Sequence, residues 1–504
     1  MERVGLDSAG SAPGTSVLRA YRKLADRIRI ERVMLRLSRL SAPDAVLVAV
    51  LVLLAVAPLL VIRGYHYEEG LTVAFAKDAM HGDRWYDPTL YGFRFVERPV
   101  LQSWLIAILG LPLGTVNQFI ARLPTVIAVL TGALLVLHLL RGRISRTAQL
   151  FAALCFVFSP MVLQKIIVAE SEVLLGVTQF AAFVLWWKGL ETSRVSLWRW
   201  AGVGLLLLAT AGFKGPQPAA FFALGIGAWI LMRRDWAQLP GYCLAGLISL
   251  GGLVAWYLAV LEPSDGGNVA HYMRLELPSG FADYLAERFD FATVIVQFLP
   301  STLLLVPAAL DLVRRRGDYV SATNRMLLVA LALYGGLTLI PLALWPETQP
   351  RYAMSALLPA ACIAGLAFDG TYRRLRNLAR VAIAALAMLF VYQMVWGWLV
   401  APVFWNDFAS SRLDARTVSA AASDTNLLVM APVRSADAVL AYLDRPIRYL
   451  SNDEMAAVAV PAYLLGWQEN ADLLAARRPD IVVTPLATLR ERNLMLFATT
   501  PRGN

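Results

Sequence analysis

Cysteine is scarce in this chain: Cys155, Cys243 and Cys362 are all there is. They lie far apart inside apolar runs, without the spacing of a disulfide framework or a zinc site, and read as small packing residues. Charge is scarce as well. Asp, Glu, Lys and Arg make up 16% of the 504 residues, where a soluble globular domain carries about 25%. Acids are outnumbered by bases, 36 to 46, for a net charge of +10. That balance alone would suit a nucleic-acid binder. The basic residues, however, cluster in short stretches between apolar runs, as topology determinants do, so no nucleic-acid partner is expected. What the chain has in abundance is hydrophobic sequence: 58% of residues and a mean hydropathy of +0.57. It reads as a mainly α, multi-span membrane protein.

Apolar runs near spanning length recur at 44–63, 118–140, 147–164, 168–188, 198–213, 216–232, 240–261, 291–313, 326–345, 353–369 and 379–401, which predicts about eleven transmembrane helices. The first is too long and too late for a cleaved signal peptide and is expected to stay as an anchor. Ahead of it, residues 1–43 are basic. Arg19, Arg22, Lys23, Arg27 and further arginines alternate with apolar residues over 16–39. This stretch fits an amphipathic helix on an anionic cytoplasmic leaflet, and equally a plain positive-inside anchor. With the N-terminus inside, every alternate loop must also be inside, and each of these is basic, from Arg141/Arg143 to Arg373/Arg374. An odd number of spans then puts residues 402–504 outside. There the pattern changes: 426–430 and 481–484 predict buried strands, 435–443 and 471–477 predict helices. The expected organisation is a cytoplasmic segment 1–43, a transmembrane domain 44–401 with an outward loop 64–117, and an extracytoplasmic α/β domain 402–504. Within the loop, 100–114 is apolar but short, and reads as interfacial or re-entrant.

The outward loop carries the chemistry-bearing residues. It reads Glu68-Glu69-Gly70 just past the first run, then Gly82-Asp83-Arg84-Trp85, then Glu97-Arg98-Pro99-Val100-Leu101, and leads to Ala121-Arg122-Leu123-Pro124. Lys214-Gly215-Pro216 and Arg351-Tyr352, followed by Pro359, fall in later outward turns. The order and spacing of this set resemble the polyprenyl-phosphate-sugar-dependent glycosyltransferases of the GT-C fold, chiefly the lipid A aminoarabinose transferases and the protein O-mannosyltransferases. Their pattern is an Asp-Glu pair after the first helix, Gly-Asp-Trp, Glu-Lys-Pro-Pro-Leu, Ala-Arg-Leu-Pro and Arg-Tyr-x-x-Pro. The likeness covers roughly 44–400.

The resemblance implies an inverting sugar transfer from a polyprenyl-phosphate donor to a lipid or glycan acceptor at a bacterial inner membrane, on the periplasmic side. It gives Glu68 the part of general base and Glu69 that of orienting the acceptor or the loop. Glu170 or Glu172 stands where the family has a second functional Asp. Arg98, Lys214, Arg351 and Tyr352 would bind the donor phosphate, with Glu97 and Asp83 in support. Such residue types suit the reaction: a hydroxyl acceptor needs a base, and a phosphate leaving group needs fixed cations. The chain departs from the family with Glu68 for its leading Asp, Arg98 for its Lys and Val100 for its second Pro. An Arg in place of Lys can grip phosphate with two parallel bonds.

Plainer readings stand beside these. Glu68-Glu69 also fits a solvated helix end, Glu97-Arg98 a surface ion pair, Lys214 a snorkelling helix end, and Arg351-Tyr352 an interfacial anchor. Asp83 fits a turn cap with Gly82. His66 and His81 lie near the acids, which leaves a divalent metal open as a cofactor without naming one. Other functions to weigh are a protein O-mannosyltransferase-like activity, transfer of a uronic acid, a lipid-linked sugar transporter or flippase, and a non-catalytic binder of polyprenyl phosphate. A transporter would carry ionisable groups at mid-span; here the acids gather in outward loops.

Overall fold

The first apolar run is helical over Ala42–Val56 (α1), breaks at Pro58, and resumes as the short helix Leu59–Ile62 (α2). Proline lacks the amide hydrogen that the ladder needs and crowds the preceding turn, so the run kinks there. The computed structural model describes residues 42–82, 85–95, 97, 99–192, 196–262, 280–314, 318–346, 348–405, 409–422, 427–430, 433–443, 447–451, 454–490 and 493–502. The basic segment 16–39, Asp83 and Arg98 lie outside these. The chain divides into two units, residues 1–47 and 48–504. Of the first unit, only the start of α1 is described; the second holds every other element.

Helix Tyr67–Gly82 (α3) comes next, then a hairpin of Thr89–Leu90 (β1) and Phe93–Arg94 (β2). Its turn residues Tyr91 and Gly92 have φ of 53° and 84°, the positive pair that lets a two-residue turn follow strand twist. The expected outward loop 64–117 is thus largely helical, since Leu101–Gly110 (α4) continues it. The buried positions of α3, including Leu71, Val73, Phe75, Ala76 and Ala79, are interspersed with polar residues. The segment is therefore not apolar enough to stand out as a span.

The helical body continues with Gln118–Leu140 (α5), Arg146–Val157 (α6), Pro160–Lys165 (α7), Glu172–Glu191 (α8), Leu197–Lys214 (α9), Gln217–Arg233 (α10) and Leu239–Val260 (α11). Phe281–Ala292 (α12), Val294–Gln297 (α13), Ser301–Arg314 (α14), Arg325–Leu344 (α15), Met354–Arg374 (α16) and Arg376–Val395 (α17) complete it. Helix α16 is at the centre: every residue from Met354 to Phe368 is buried, against α8, α6, α14 and α15. Six helices among the described residues are long and apolar enough to cross a membrane, or seven if the pair Phe281–Gln297 and Ser301–Arg314, bent by 90°, forms one span. The other expected spans are helical but fall short. Pro58 and Pro160 divide two of them, α10 has 17 residues, and α9 carries Arg199 and Lys214 within its 18.

After Ser410–Ala421 (α18) the chain builds a five-stranded sheet from Leu427–Val429 (β3), Ile447–Tyr449 (β4), Ala462–Gly466 (β5), Ile481–Thr488 (β6) and Met495–Pro501 (β7), in the order β4-β3-β5-β7-β6. Strands β4, β3 and β5 are parallel, while β7 runs antiparallel to both β5 and β6. Helices Val433–Leu440 (α19) and Gln468–Arg477 (α20) cover it, with separate apolar clusters around Val429 and Val439 and around Leu464 and Phe497. Helix α19 packs directly on α3. The approach is so close that a Cβ on Gly70 would stand 2.4 Å from the carbonyl carbon and oxygen of Asp437.

Candidate active site

Glu68 and Glu69 occupy the first turn of α3, where unpaired amides and the helix dipole favour carboxylates. Their surroundings differ. Glu69 is fully buried. Its Oε2 accepts from the His66 amide at 3.0 Å and from Arg122 Nη2 at 2.9 Å, and its Oε1 accepts from Arg122 Nε at 2.7 Å and from the Ala169 amide at 3.0 Å. The His66 bond is the carboxylate half of a capping box, third helical residue to N-cap. Arg122 is equally engaged. Its remaining N–H groups donate to the carbonyls of Leu59, Leu60, Arg63 and Gly64 at 2.9–3.2 Å, the open C-terminal end of α2. The pair joins α2, α3 and α5 with all four carboxylate acceptor positions filled.

The same segment is tied to the sheet region. The Tyr442 hydroxyl accepts from the Tyr65 amide at 3.0 Å and is also bonded by Gln118 Nε2. Ser411 Oγ donates to the Tyr65 carbonyl at 3.0 Å, and Arg412 donates to the Val61 carbonyl at 2.6 Å. Burial, with Tyr442 and Glu69 close by, pushes the Tyr65 phenol well above its usual pKa.

Glu68 faces the other way, with 22% of its side chain exposed. Arg351 Nη2 donates to its Oε1 at 2.9 Å. Arg351 also lies 3.7 Å from Glu170 and 3.6 Å from Glu172, which are 4% and 3% exposed. Lys165, the last residue of α7, pairs with Glu170, and Lys214, the last residue of α9, pairs with Glu172. Both lysines sit at helix C-termini, where the dipole favours a cation. Gly215, at φ 105°, turns the chain immediately after Lys214. The Tyr352 ring lies beneath both cations, 4.4 Å from Lys214 Nζ and 5.7 Å from Arg351 Cζ, a cation–π platform. Three carboxylates and three cations from α3, α7, the turn between α7 and α8, α8, α9 and the turn before α16 thus converge on one site. The cavity against Glu68 and Glu170 measures about 30 Å³, room for little more than a water or two. A far larger cavity, about 680 Å³, lies elsewhere, between the far half of α3, the β1–β2 hairpin and the sheet region.

Of the residues singled out from sequence, Glu68, Glu170, Glu172, Lys214, Arg351 and Tyr352 are brought together. Glu69 is adjacent but turned inward. The Glu97 carbonyl accepts from the Tyr257 hydroxyl at 3.3 Å, which ties the first loop to α11. Sequence reasoning missed Lys165 and the part played by Arg122. Lys165 stands five residues from Glu170 across a turn, a spacing with no helical signature, and Arg122 lies inside an apolar run. His66 Nδ1 is 3.9 Å from Glu170. His81 sits near the opposite end of α3, roughly 22 Å along the helix, bonded to the Lys77 carbonyl. Among the described residues no three His, Cys, Asp or Glu side chains are grouped to hold a metal.

Residues 97–257 match the family model described as dolichyl-phosphate-mannose-protein mannosyltransferase. The chain is 29% identical over 343 residues to the undecaprenyl phosphate-alpha-4-amino-4-deoxy-L-arabinose arabinosyl transferase of Pseudomonas paraeruginosa, covering 61% of this chain and 58% of that protein. It is 27% identical over 207 residues to the enzyme of the same name from Edwardsiella ictaluri, covering 37% and 34%. The match spans less than two thirds of these relatives' length. In structure the chain is similar to ArnT from Cupriavidus metallidurans bound to undecaprenyl phosphate, with TM-score 0.71 at 15% identity over 91% of this chain and 98% of that one. It is also similar to the Archaeoglobus fulgidus oligosaccharyltransferase in the apo form, with TM-score 0.51 at 13% identity over 89% and 70%. In sequence and in fold, then, the chain is similar to the GT-C-type glycosyltransferases that use polyprenyl-phosphate sugars.

Proposed function

We propose that the chain is an integral membrane glycosyltransferase that moves a sugar from a polyprenyl-phosphate donor to a lipid or glycan acceptor of the cell envelope. The observation that carries this reading is the convergence of Glu68, Glu170 and Glu172 with Arg351, Lys214 and Lys165. A partly exposed carboxylate stands within hydrogen-bond reach of a cation able to hold phosphate. Glu68 takes the proton of the acceptor hydroxyl as it attacks the anomeric carbon, inverting the centre. Arg351 and Lys214 hold the leaving phosphate, Tyr352 supports both, and Glu170 and Glu172 fix the cations. Arg98 keeps the phosphate role, and Glu97 and Asp83 the supporting roles, that the family likeness gives them. Glu69 acts through Arg122 by holding the turn from which Glu68 projects. The names of the curated relatives favour undecaprenyl phosphate aminoarabinose as donor, and the likeness to the lipid A aminoarabinose transferases favours lipid A, a lipopolysaccharide core sugar or another envelope glycan as acceptor. The matched family model supports a protein acceptor as the second reading.

In this reading the site lies on the periplasmic side of an inner membrane. The eleven apolar segments all cross or enter the bilayer, residues 1–43 are cytoplasmic, 44–401 form the membrane domain, and 402–504 form an extracytoplasmic α/β domain. The basic residues at the opposite ends of the helices support this orientation.

The test is transfer by the purified full chain, followed by mass spectrometry, with a panel of polyprenyl-phosphate sugars offered against lipid A and an acceptor peptide. Wild type should transfer at least one sugar, and Glu68→Gln should lose about a hundredfold or more in rate. Full activity in Glu68→Gln would remove the assigned base. If labelled lipid crosses vesicles and no sugar is transferred, the protein is a transporter.

A further inference from the structure

Each cation of the described cluster is already engaged. Lys165 pairs with Glu170, Lys214 with Glu172, and Arg351 with Glu68 while also facing Glu170 and Glu172. An anionic donor that enters among these groups meets three carboxylates at close range, and the adjoining cavity measures about 30 Å³. For one of these cations to take the phosphate, one carboxylate has to give it up. Glu170 and Glu172 are almost wholly buried, whereas Glu68 is 22% exposed and is the one that water can receive at least cost. Arg351 also has capacity to spare. Its Nε is buried without a hydrogen-bond partner, and so is Glu172 Oε2; at 3.6 Å, Nε and Glu172 Oε1 are too far apart for a hydrogen bond.

We propose that the donor phosphate and Glu68 compete for Arg351, so that donor binding releases Glu68 from Arg351 and lets it act as base. This rests on the glycosyl transfer proposed above and adds to it an order of events. Before the donor arrives, Arg351 Nη2 donates to Glu68 Oε1, an oxygen that would otherwise be open to the acceptor's proton. The phosphodiester takes Nη2 and Nε of Arg351 as a bidentate pair, and Glu68 turns to the acceptor. In the transfer step the acceptor oxygen bonds the anomeric carbon. The bond from that carbon to the phosphate oxygen breaks, with its electron pair leaving on the phosphate, and the acceptor's proton moves to Glu68. The phosphate gains one negative charge as Glu68 loses one. Competition for Arg351 is therefore weakest when the leaving group most needs it. Loss of the proton from Glu68 restores the original pair and helps expel the lipid phosphate.

The test measures binding of undecaprenyl phosphate to the purified full chain in detergent by native mass spectrometry. Removing the competing carboxylate should make Glu68→Gln and Glu68→Ala bind it about fivefold more tightly than wild type, the equivalent of about 1 kcal/mol for a partly exposed ion pair, while transfer is lost. A residue that merely contacted the lipid would show weaker binding when removed. In the unmodified protein, carbodiimide labelling of Glu68 should rise when undecaprenyl phosphate is bound, a readout that needs no variant. Equal or weaker binding by both variants, or labelling that does not change, in a protein that does transfer sugar overturns the exchange alone. A wild type that neither binds undecaprenyl phosphate nor transfers sugar overturns the proposed function, and the exchange with it.

Discussion

Glu68 and Glu69 are neighbours in sequence, yet one reaches solvent and Arg351, while the other is sealed around Arg122. Substitution should separate them. Arg122→Ala strands the buried Glu69 charge and should cost about 3–5 kcal/mol of stability, read as a large fall in melting temperature in detergent. Glu68→Gln should change stability by no more than about 1 kcal/mol while transfer collapses. Arg122→Lys should recover only part of the stability, since one ammonium cannot serve both carboxylate oxygens and the α2 carbonyls together.

At the scale of elements, the seam between α3 and α19 is where the helical body and the sheet region meet. Gly70 has backbone on the facing side, so neither partner can yield by rotating a side chain. Gly70→Ala should therefore destabilise the seam by about 1–3 kcal/mol. Hydrogen exchange should show faster opening of 433–440 than of the α16 core. Tyr442→Phe removes the acceptor for the Tyr65 amide and leaves a buried donor unmet, at about 1–3 kcal/mol. Because that amide sits three residues before Glu68, kcat should fall more than KM changes.

For the whole molecule, the proposed topology puts the sheet region and the basic helix ends on opposite sides of the membrane. Single cysteines introduced in a cysteine-free background at Glu469 and at Arg373 should label from outside and from inside respectively; labelling of both from one side would undo the charge-based topology. Much of the candidate site was legible in the sequence. Lys214 and Arg351 lie 137 positions apart by number, yet each follows or precedes an apolar run on the same side, which is why charge alternation could bring them together. The helical nature of 67–82 was hidden because α3 buries its face against protein with polar residues interleaved. In the sequence Arg122 is one motif residue among several, since nothing in a linear chain reveals that its partners are Glu69 and four carbonyls between residues 59 and 64. Strands β3 and β4, of three residues each, offer too short a pattern to fix a sheet order, and the position of β7 depends on pairings that no local signal encodes.

That position bears on when the protein becomes active. Strand β7, residues 495–501, lies between β5 and β6, so the sheet stays split until this late segment has been synthesised and carried to its place. Helix α19, which belongs to that sheet, is also what rests on Gly70. The turn bearing Glu68 is consequently braced by residues more than 350 positions further along, and a nascent protein with its earlier helices already in place would still lack that brace.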